Sequence, residues 1–302
     1  MAYIKNETAD INNINSILKW IKNEFIFGAH YLSLGYPALF LSLMILLDLQ
    51  IDFFALIVTY LIPLIVYSFN YQKELDKDII TNPEKVKYLK NRERIFPYLM
   101  GLYILLLIGL LIFLNNHGFS LFILIILVGG LLYTIVFKVL TRTIPGFKSI
   151  YTAMVWAYAG TFCVSFFYSL QFSVFYLLYF TFLFLKGLIN VIFFDIKDIS
   201  SDKRDNLRTF PILLGVKKTI ILLHILNILS LCILLYGVYT NILPIYTLAL
   251  SIFFVYTLYY LTKGNTNDNQ ELHKYTYLMV DGECIFWPIV LVIFKFLYLK
   301  FF

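Results

Sequence analysis

Residues 173–205 read SVFYLLYFTFLFLKGLINVIFFDIKDISSDKRD. From Ser173 to Phe194 a single charge, Lys186, stands among apolar and aromatic side chains, and from Asp195 onward charge returns as Asp195, Asp198, Asp202 and Asp205 interleaved with Lys197, Lys203 and Arg204. A bilayer core of about 30 Å is crossed by roughly 20 mainly apolar residues in a helix. The first part therefore reads as a membrane span and the second as its polar exit. Barrel strands have about ten residues with alternating faces, whereas this run is much longer and apolar all round, so a helix is expected.

Eight further stretches read the same way: 30–49, 53–70, 96–114, 119–138, 149–168, 218–240, 243–262 and 276–299. The composition of the 302 residues agrees, at 61% hydrophobic and 14% charged with a mean hydropathy of +0.81. A soluble domain carries about 25% charged residues, so these cannot clothe a water-facing surface. With 14 Gly, 8 Pro and three cysteines in apolar runs, disordered, collagen-like and disulfide-scaffold classes are excluded. Cys163, Cys232 and Cys284 read as small buried hydrophobes.

Lys and Arg set the orientation. They are absent from the breaks after the first, third, fifth and seventh spans, and, with the span-end residues Lys138 and Lys218 counted in the breaks beside them, number seven, three, six and two after the second, fourth, sixth and eighth. This alternation puts the N-terminus and the even-numbered exits in the cytoplasm of a prokaryotic cell, and the C-terminus outside. The net charge of +6 then reflects topology and attraction to anionic headgroups, with no nucleic-acid partner implied. Residues 1–28 lack the pattern of a cleavable signal. Ile14, Ile17, Leu18, Ile21 and Phe25 recur at helical spacing beside Lys19 and Lys22, which predicts a segment lying in the cytoplasmic interface. The expected organisation is an interfacial segment, 1–28, followed by one domain, 29–302: an all-α polytopic membrane protein with nine transmembrane helices around a central cavity and two acidic motifs on cytoplasmic loops.

Half of the 18 acidic residues lie in two of those loops, Glu74, Asp76, Asp78, Glu84 and Glu93 in one and Asp195, Asp198, Asp202 and Asp205 in the other. On a continuing helix Asn70, Glu74 and Asp78 advance by roughly 40° per step and so share one face, and Asp195, Asp198 and Asp202 fall within about 60°. Oxygen donors without His or Cys favour Mg2+ or Ca2+ over zinc or copper. Mg2+ is commonly held by one or two carboxylates together with substrate phosphates, so two such rows facing one cavity would grip a diphosphate that neither could hold alone. The plainer alternative is that membrane exits are polar anyway, their acids balanced by neighbouring Lys and Arg.

The segment DIKDISSDKRDNLRTFPILLG, Asp195 to Gly215, closely resembles the second aspartate-rich motif of the UbiA-type intramembrane prenyltransferases. Asn70, Glu74 and Asp78 look like the counterpart of that family's first motif, Asn-x-x-x-Asp-x-x-x-Asp. Glu74 stands where the family usually has Asp, and Tyr71 where many members carry another Asp. The resemblance implies transfer of a prenyl group from a polyprenyl diphosphate to an aromatic or lipid acceptor. It also implies Mg2+, held with the diphosphate by Asn70, Glu74, Asp78, Asp195, Asp198 and Asp202. Arg142 and Lys148 match the family's basic positions between the fourth and fifth helices, and Lys203 and Arg208 lie beside the second motif. The allylic cation formed on ionisation needs a dry pocket with aromatic walls, which 24 Tyr, 30 Phe and three Trp can supply. Two other readings fit the same parts: a terpene cyclase of this fold, which ionises the diphosphate without an acceptor, and a non-catalytic transporter or lipid-binding protein.

Charges inside spans are costly and need partners. Lys186, one turn before Asn190, is expected to face the cavity near diphosphate or acceptor. Asp281 and Glu283, flanking Gly282 in the ninth span, would orient an acceptor, accept a proton or pair with Lys186. His30 is expected to be an interfacial or core histidine, and Gly129-Gly130 to permit close helix packing.

Overall fold

A computed structural model of the chain describes residues 17–76, 79, 82–265, 272 and 275–301. Asp78, and the part of the expected interfacial segment before Ile17, lie outside these residues. Among the described residues every regular element is helical. In chain order the principal helices are α1 (Ile17–Phe27), α2 (His30–Leu46), α3 (Phe53–Lys73), α4 (Pro83–Asn91), α5 (Phe96–Leu114), α6 (His117–Ile135), α7 (Phe147–Tyr168), α8 (Val174–Lys197), α9 (Ile199–Arg204), α10 (Val216–Tyr239), α11 (Ile245–Gly264) and α12 (Thr276–Phe301), with short turns of helix at Phe137–Val139, Leu140–Thr143 and Phe210–Leu214. Eight of these are each long and apolar enough to cross a bilayer, and α1 with α2, bent by 53°, makes a ninth when the pair is taken together. The protein is an integral membrane protein, and the nine predicted runs each fall on one of these helices.

The two ends of the bundle are built differently. At one end the connections are tight, and each contains a residue in the left-handed region: Asp48 (φ 55°), Asn115 (φ 47°), Ser169 (φ 54°) and Asn241 (φ 56°). Such a residue just past a helix lets the chain reverse while the last carbonyls keep their partners. Side chains tie these turns together: Asn116 Nδ2 donates to Phe167 O at 2.8 Å, Tyr246 OH to Leu46 O at 3.0 Å and Lys295 Nζ to Ile45 O at 3.0 Å. The other end, the motif end, carries the longer connections with α4, α9 and the described residues of both acidic motifs. There the segment before α7 and the segment after α9 are stitched by backbone bonds, Arg208 N to Thr141 O at 3.0 Å and Gly146 N to Arg208 O at 2.8 Å.

α8 lies at the centre, packed against α7 and α10, and it buries Lys186 and Asp195 along with its aromatic and aliphatic face. α5 buries only Leu107, as expected of a peripheral helix bathed in lipid. Gly130 of α6 lies where a Cβ would meet Val66 Cγ2 of α3 at 2.8 Å, so the glycine is what lets those helices approach. Of the cysteines, Cys163 is buried, but Cys232 is exposed on the outer face and Cys284 borders a cavity, so only the first is the buried hydrophobe expected of all three. α12 is not one regular helix. It begins with a π turn, Thr276–Val280, passes through Asp281-Gly282, and tightens to a 3-10 turn, Glu283–Phe286, before its regular part.

Candidate active site

A cavity of about 300 Å³ lies among α2, α3, α6, α7, α8 and α12. Its polar residues gather toward the motif end. Its deeper wall is formed by apolar and aromatic side chains including Leu39, Ile126, Ala157, Leu183 and Trp287.

α3 continues to Lys73, past the predicted boundary, so Asn70 is on the helix and Glu74 is its C-cap. Both line the cavity, and Asn70 is held to α6 by a bond from Thr134 Oγ1 at 3.2 Å. On the facing side α8 runs to Lys197, which places Asp195 in its last turn and Asp198 at its C-cap. These two also line the cavity. Tyr133 of α6 stands within electrostatic reach of Glu74, Asp195 and Lys148, so the two motifs address one space. The second motif is not the single helical row expected, because the helix breaks at Asp198. Asp202 lies on α9, fully buried, and is joined to the cavity wall through Lys148.

Lys148, in the first turn of α7, closes this cluster. Its Nζ is 2.6 Å from Asp195 Oδ1 and 3.5 Å from Asp202 Oδ2. Ser149 Oγ donates to the other Asp195 oxygen at 2.7 Å, and Lys197 Nζ lies 2.7 Å from Asp198 Oδ1. Two carboxylates buried this deeply need positive charge beside them, and the ammonium of Lys148 supplies it.

The other basic candidates separate into two groups. Arg142, Lys203 and Arg208 are exposed and lie away from the cavity wall; Arg208 Nη1 donates to Thr143 O at 3.1 Å. Lys186 does line the cavity, yet its three donors are taken by Glu283 Oε1 (2.6 Å), Thr257 Oγ1 (2.6 Å) and Phe253 O (3.2 Å). Of the sequence candidates for diphosphate binding, the geometry thus brings Lys148 to the acidic cluster and Lys186 to an internal pair. Two cavity lysines escaped the sequence reading: Lys197, and Lys85 of α4, which is 3% exposed with its Nζ 3.2 Å from the centre of the Tyr71 ring. The signal for Lys85 was faint, one of seven cations in a loop whose charges also serve topology.

Aromatic rings border the same space. Trp156 Nε1 donates to Tyr67 OH at 2.9 Å, Tyr36 meets Trp156 edge-on at 6.4 Å, and Tyr133 stacks with Tyr151 at 5.7 Å. Ring faces carry partial negative charge and attract cations, so this wall stabilises positive charge in a region poor in water.

Comparisons with known proteins agree with this arrangement. The fold is shared with a UbiA homologue from Aeropyrum pernix K1 (TM-score 0.61, 15% identity, 90% of this chain and 98% of the other). It is shared equally with a UbiA homologue from Archaeoglobus fulgidus bound to GPP and Mg2+ (TM-score 0.64, 15% identity, 90% and 99%). In sequence the chain is 34% identical over 109 residues to the digeranylgeranylglyceryl phosphate synthase of Methanosphaera stadtmanae, a match covering 34% of this chain and 39% of that enzyme. The family model described as the UbiA prenyltransferase family matches residues 31–280, which take in both acidic segments and the helices that carry them. The chain belongs to the UbiA prenyltransferase family.

Proposed function

We propose that the protein transfers a prenyl group from a polyprenyl diphosphate to the hydroxyl of a membrane-dissolved lipid acceptor, with Mg2+ bound at the motif end. The observation that carries this reading is the convergence of Asn70, Glu74, Asp195 and Asp198 with Lys148 on one cavity whose deeper wall is apolar and aromatic. The lipid acceptor is favoured over an aromatic one by the synthase relative, whose name specifies a glyceryl phosphate. The Archaeoglobus homologue with GPP and Mg2+ supports the donor and the metal.

The donor set suits the metal. It consists of hard oxygens only, and a cationic ammonium already sits between Asp195 and Asp202. Among the described residues no three carboxyl, imidazole or thiol groups are poised to hold an ion by themselves, which fits a cation shared with substrate phosphates. Asn70, Glu74, Asp195 and Asp198 would hold it; Asp78, the last acid of the first motif, lies outside the described residues. When bound, Mg2+ neutralises the charge that builds on the diphosphate as it leaves. Lys148, Lys85 and Lys197 add positive charge at the same end, Asp202 steadies Lys148 from behind, and the Tyr36, Tyr67 and Trp156 rings face the allylic carbon as it becomes cationic. The apolar wall excludes the water that would quench it.

The motif end is read as cytoplasmic, because the Lys and Arg residues of the loops collect there. α1 is read as lying in that interface, since Ile17, Leu18, Trp20 and Ile21 are all at least half exposed. The deciding experiment uses purified protein in detergent with labelled geranylgeranyl diphosphate and geranylgeranylglyceryl phosphate. Pyrophosphate release and prenyl transfer should stop with EDTA and fall by on the order of 10²-fold or more in Asp195→Ala and Asp198→Ala. Release that persists through EDTA and both substitutions would overturn the assignment, and a hydrocarbon or prenyl alcohol made equally well without acceptor would replace it with a cyclase.

A further inference from the structure

We propose that Asp281 is the base on the acceptor side of the cavity, taking the proton that the acceptor hydroxyl gives up as it attacks the prenyl carbon. This rests on the prenyl-transfer reading above and adds to it a residue outside both acidic motifs.

Transfer to a hydroxyl has a proton balance to meet. The acceptor oxygen forms a bond to the allylic carbon, the bond from that carbon to the diphosphate oxygen breaks, and its electron pair leaves with pyrophosphate. The O–H bond must break as well, and in a water-poor cavity the proton needs a receiving group on the wall. Among the described residues the cavity offers four carboxylates, Glu74, Asp195, Asp198 and Asp281, and no histidine. The first three belong to the motif end, where Asp195 is committed to Lys148 and Ser149, and Asp198 to Lys197. Asp281 is carried by α12 and belongs to neither motif. Among the described residues no side chain hydrogen-bonds or ion-pairs with its carboxylate. The groups within electrostatic reach are Lys197 of α8 and Lys85 of α4, with Tyr31 of α2, Tyr67 of α3 and Cys284 of its own helix.

The irregular start of α12 is what turns Asp281 toward the cavity. The π turn closes with Asp281 N bonded to Thr276 O at 3.2 Å. The next residue, Gly282, is pressed against α2 so closely that a Cβ there would overlap Tyr31 OH. Tyr31 OH in turn donates to Leu278 O at 2.9 Å. With the backbone pinned in this way, Asp281 joins Cys284 and Trp287 on the cavity wall, while Glu283 turns the other way and is consumed by Lys186 and by Tyr260 OH at 3.4 Å. Two acids two residues apart thus have opposite assignments, one neutralised inside the bundle and one left open to the cavity. π turns inside longer helices are rare and frequently mark functional positions. The proton taken by Asp281 leaves to water once the products have gone.

The test compares wild type, Asp281→Asn and Asp281→Glu with geranylgeranyl diphosphate and geranylgeranylglyceryl phosphate, following transfer and pyrophosphate release separately. Binding of a thiolo analogue of the donor that does not ionise is measured alongside. In Asp281→Asn, transfer is expected to fall by about 10²-fold or more, the scale of general-base catalysis, while analogue binding stays within about twofold and pyrophosphate release continues with the prenyl group ending on water. Asp281→Glu keeps the carboxylate and is expected to restore transfer to within about tenfold of wild type; it keeps the proposal testable if the asparagine variant folds poorly. Transfer at the wild-type rate in Asp281→Asn would overturn the proposal. So would a parallel loss of analogue binding, since that would put Asp281 on the donor side. A wild-type protein that releases no pyrophosphate at all would fell the prenyl-transfer reading itself.

Discussion

Lys186 and Glu283 illustrate what a single charge costs inside a bundle. Both are almost wholly withdrawn from solvent, at 3% and 0% exposure, and they meet at 2.6 Å. Removing one partner of such a pair strands the other, a loss of about 3–5 kcal/mol, whereas replacing both by apolar side chains of similar volume is often neutral or stabilising. Glu283→Ala is therefore expected to lower the thermal midpoint in detergent far more than Lys186→Met/Glu283→Leu does, and equal losses in all variants would show that the two do not act as a pair. At this scale the sequence was informative about need and left the partner open, with pairing to Asp281 or Glu283 one of its alternatives, and the structure selects Glu283. A lysine within an apolar run has to find an anion, but whether it finds substrate or a neighbouring helix depends on rotation angles that residue spacing leaves undetermined. The same holds for Lys148, which matched a basic position of the family. Nothing in the order of residues said that its ammonium would lie between Asp195 and Asp202.

Among the helices, the contact of α3 with α6 depends on the missing side chain at Gly130. A methyl group there meets the stiff, β-branched Val66 at 2.8 Å, so Gly130→Ala is expected to push the helices apart and cost about 1–3 kcal/mol. Gly101 of α5 has nothing within 4 Å of the same position. Gly101→Ala should then be neutral or slightly stabilising through helix propensity, and thermal unfolding of the two variants side by side checks the contrast. A second element-level contact joins α1 to α4. Arg92 Nη1 meets Glu24 Oε1 at 2.7 Å, Tyr88 OH donates to the other oxygen, and His30 links Glu24 to Tyr60. Arg92→Ala leaves Glu24 short of its counter-charge in a half-buried site and is expected to release α1, read out as faster proteolysis near residue 27 with the bundle intact. Helix positions were legible because a bilayer demands one long apolar run per crossing, and the predicted spans needed only shifts of a few residues at their ends. The broken turn of α12 was not legible. Tyr277, Leu278, Met279, Val280 and Cys284 read as ordinary span residues, and the π turn sits where Tyr31, a residue of the first span, donates to Leu278 O.

For the whole molecule, the alternation of Lys and Arg was the strongest global signal, and among the described residues the structure gathers the basic loops after the second, fourth and sixth spans at one end with Asn70, Glu74 and the second acidic motif. Single cysteines introduced into a cysteine-free background test the orientation. In intact cells a membrane-impermeant maleimide should label position 116 but reach position 87 only after lysis, and the opposite pattern would invert the topology. The candidate site was half legible in the sequence. The acids were identifiable from their spacing, as was the chemistry of hard donors, while the lysines that complete the cavity, Lys85 and Lys197, were hidden among topological charges.

The four left-handed turns, at Asp48, Asn115, Ser169 and Asn241, carry a mechanical implication. Short reversals cross-tied by Asn116, Tyr246 and Lys295 act as a fulcrum, so the room the proposed prenyl donor needs for entry and exit has to come from splaying of the helices at the far end. A binding protein raised against the tied end should hold the molecule for imaging without slowing turnover, and one that clamps α4 to α9 should arrest it.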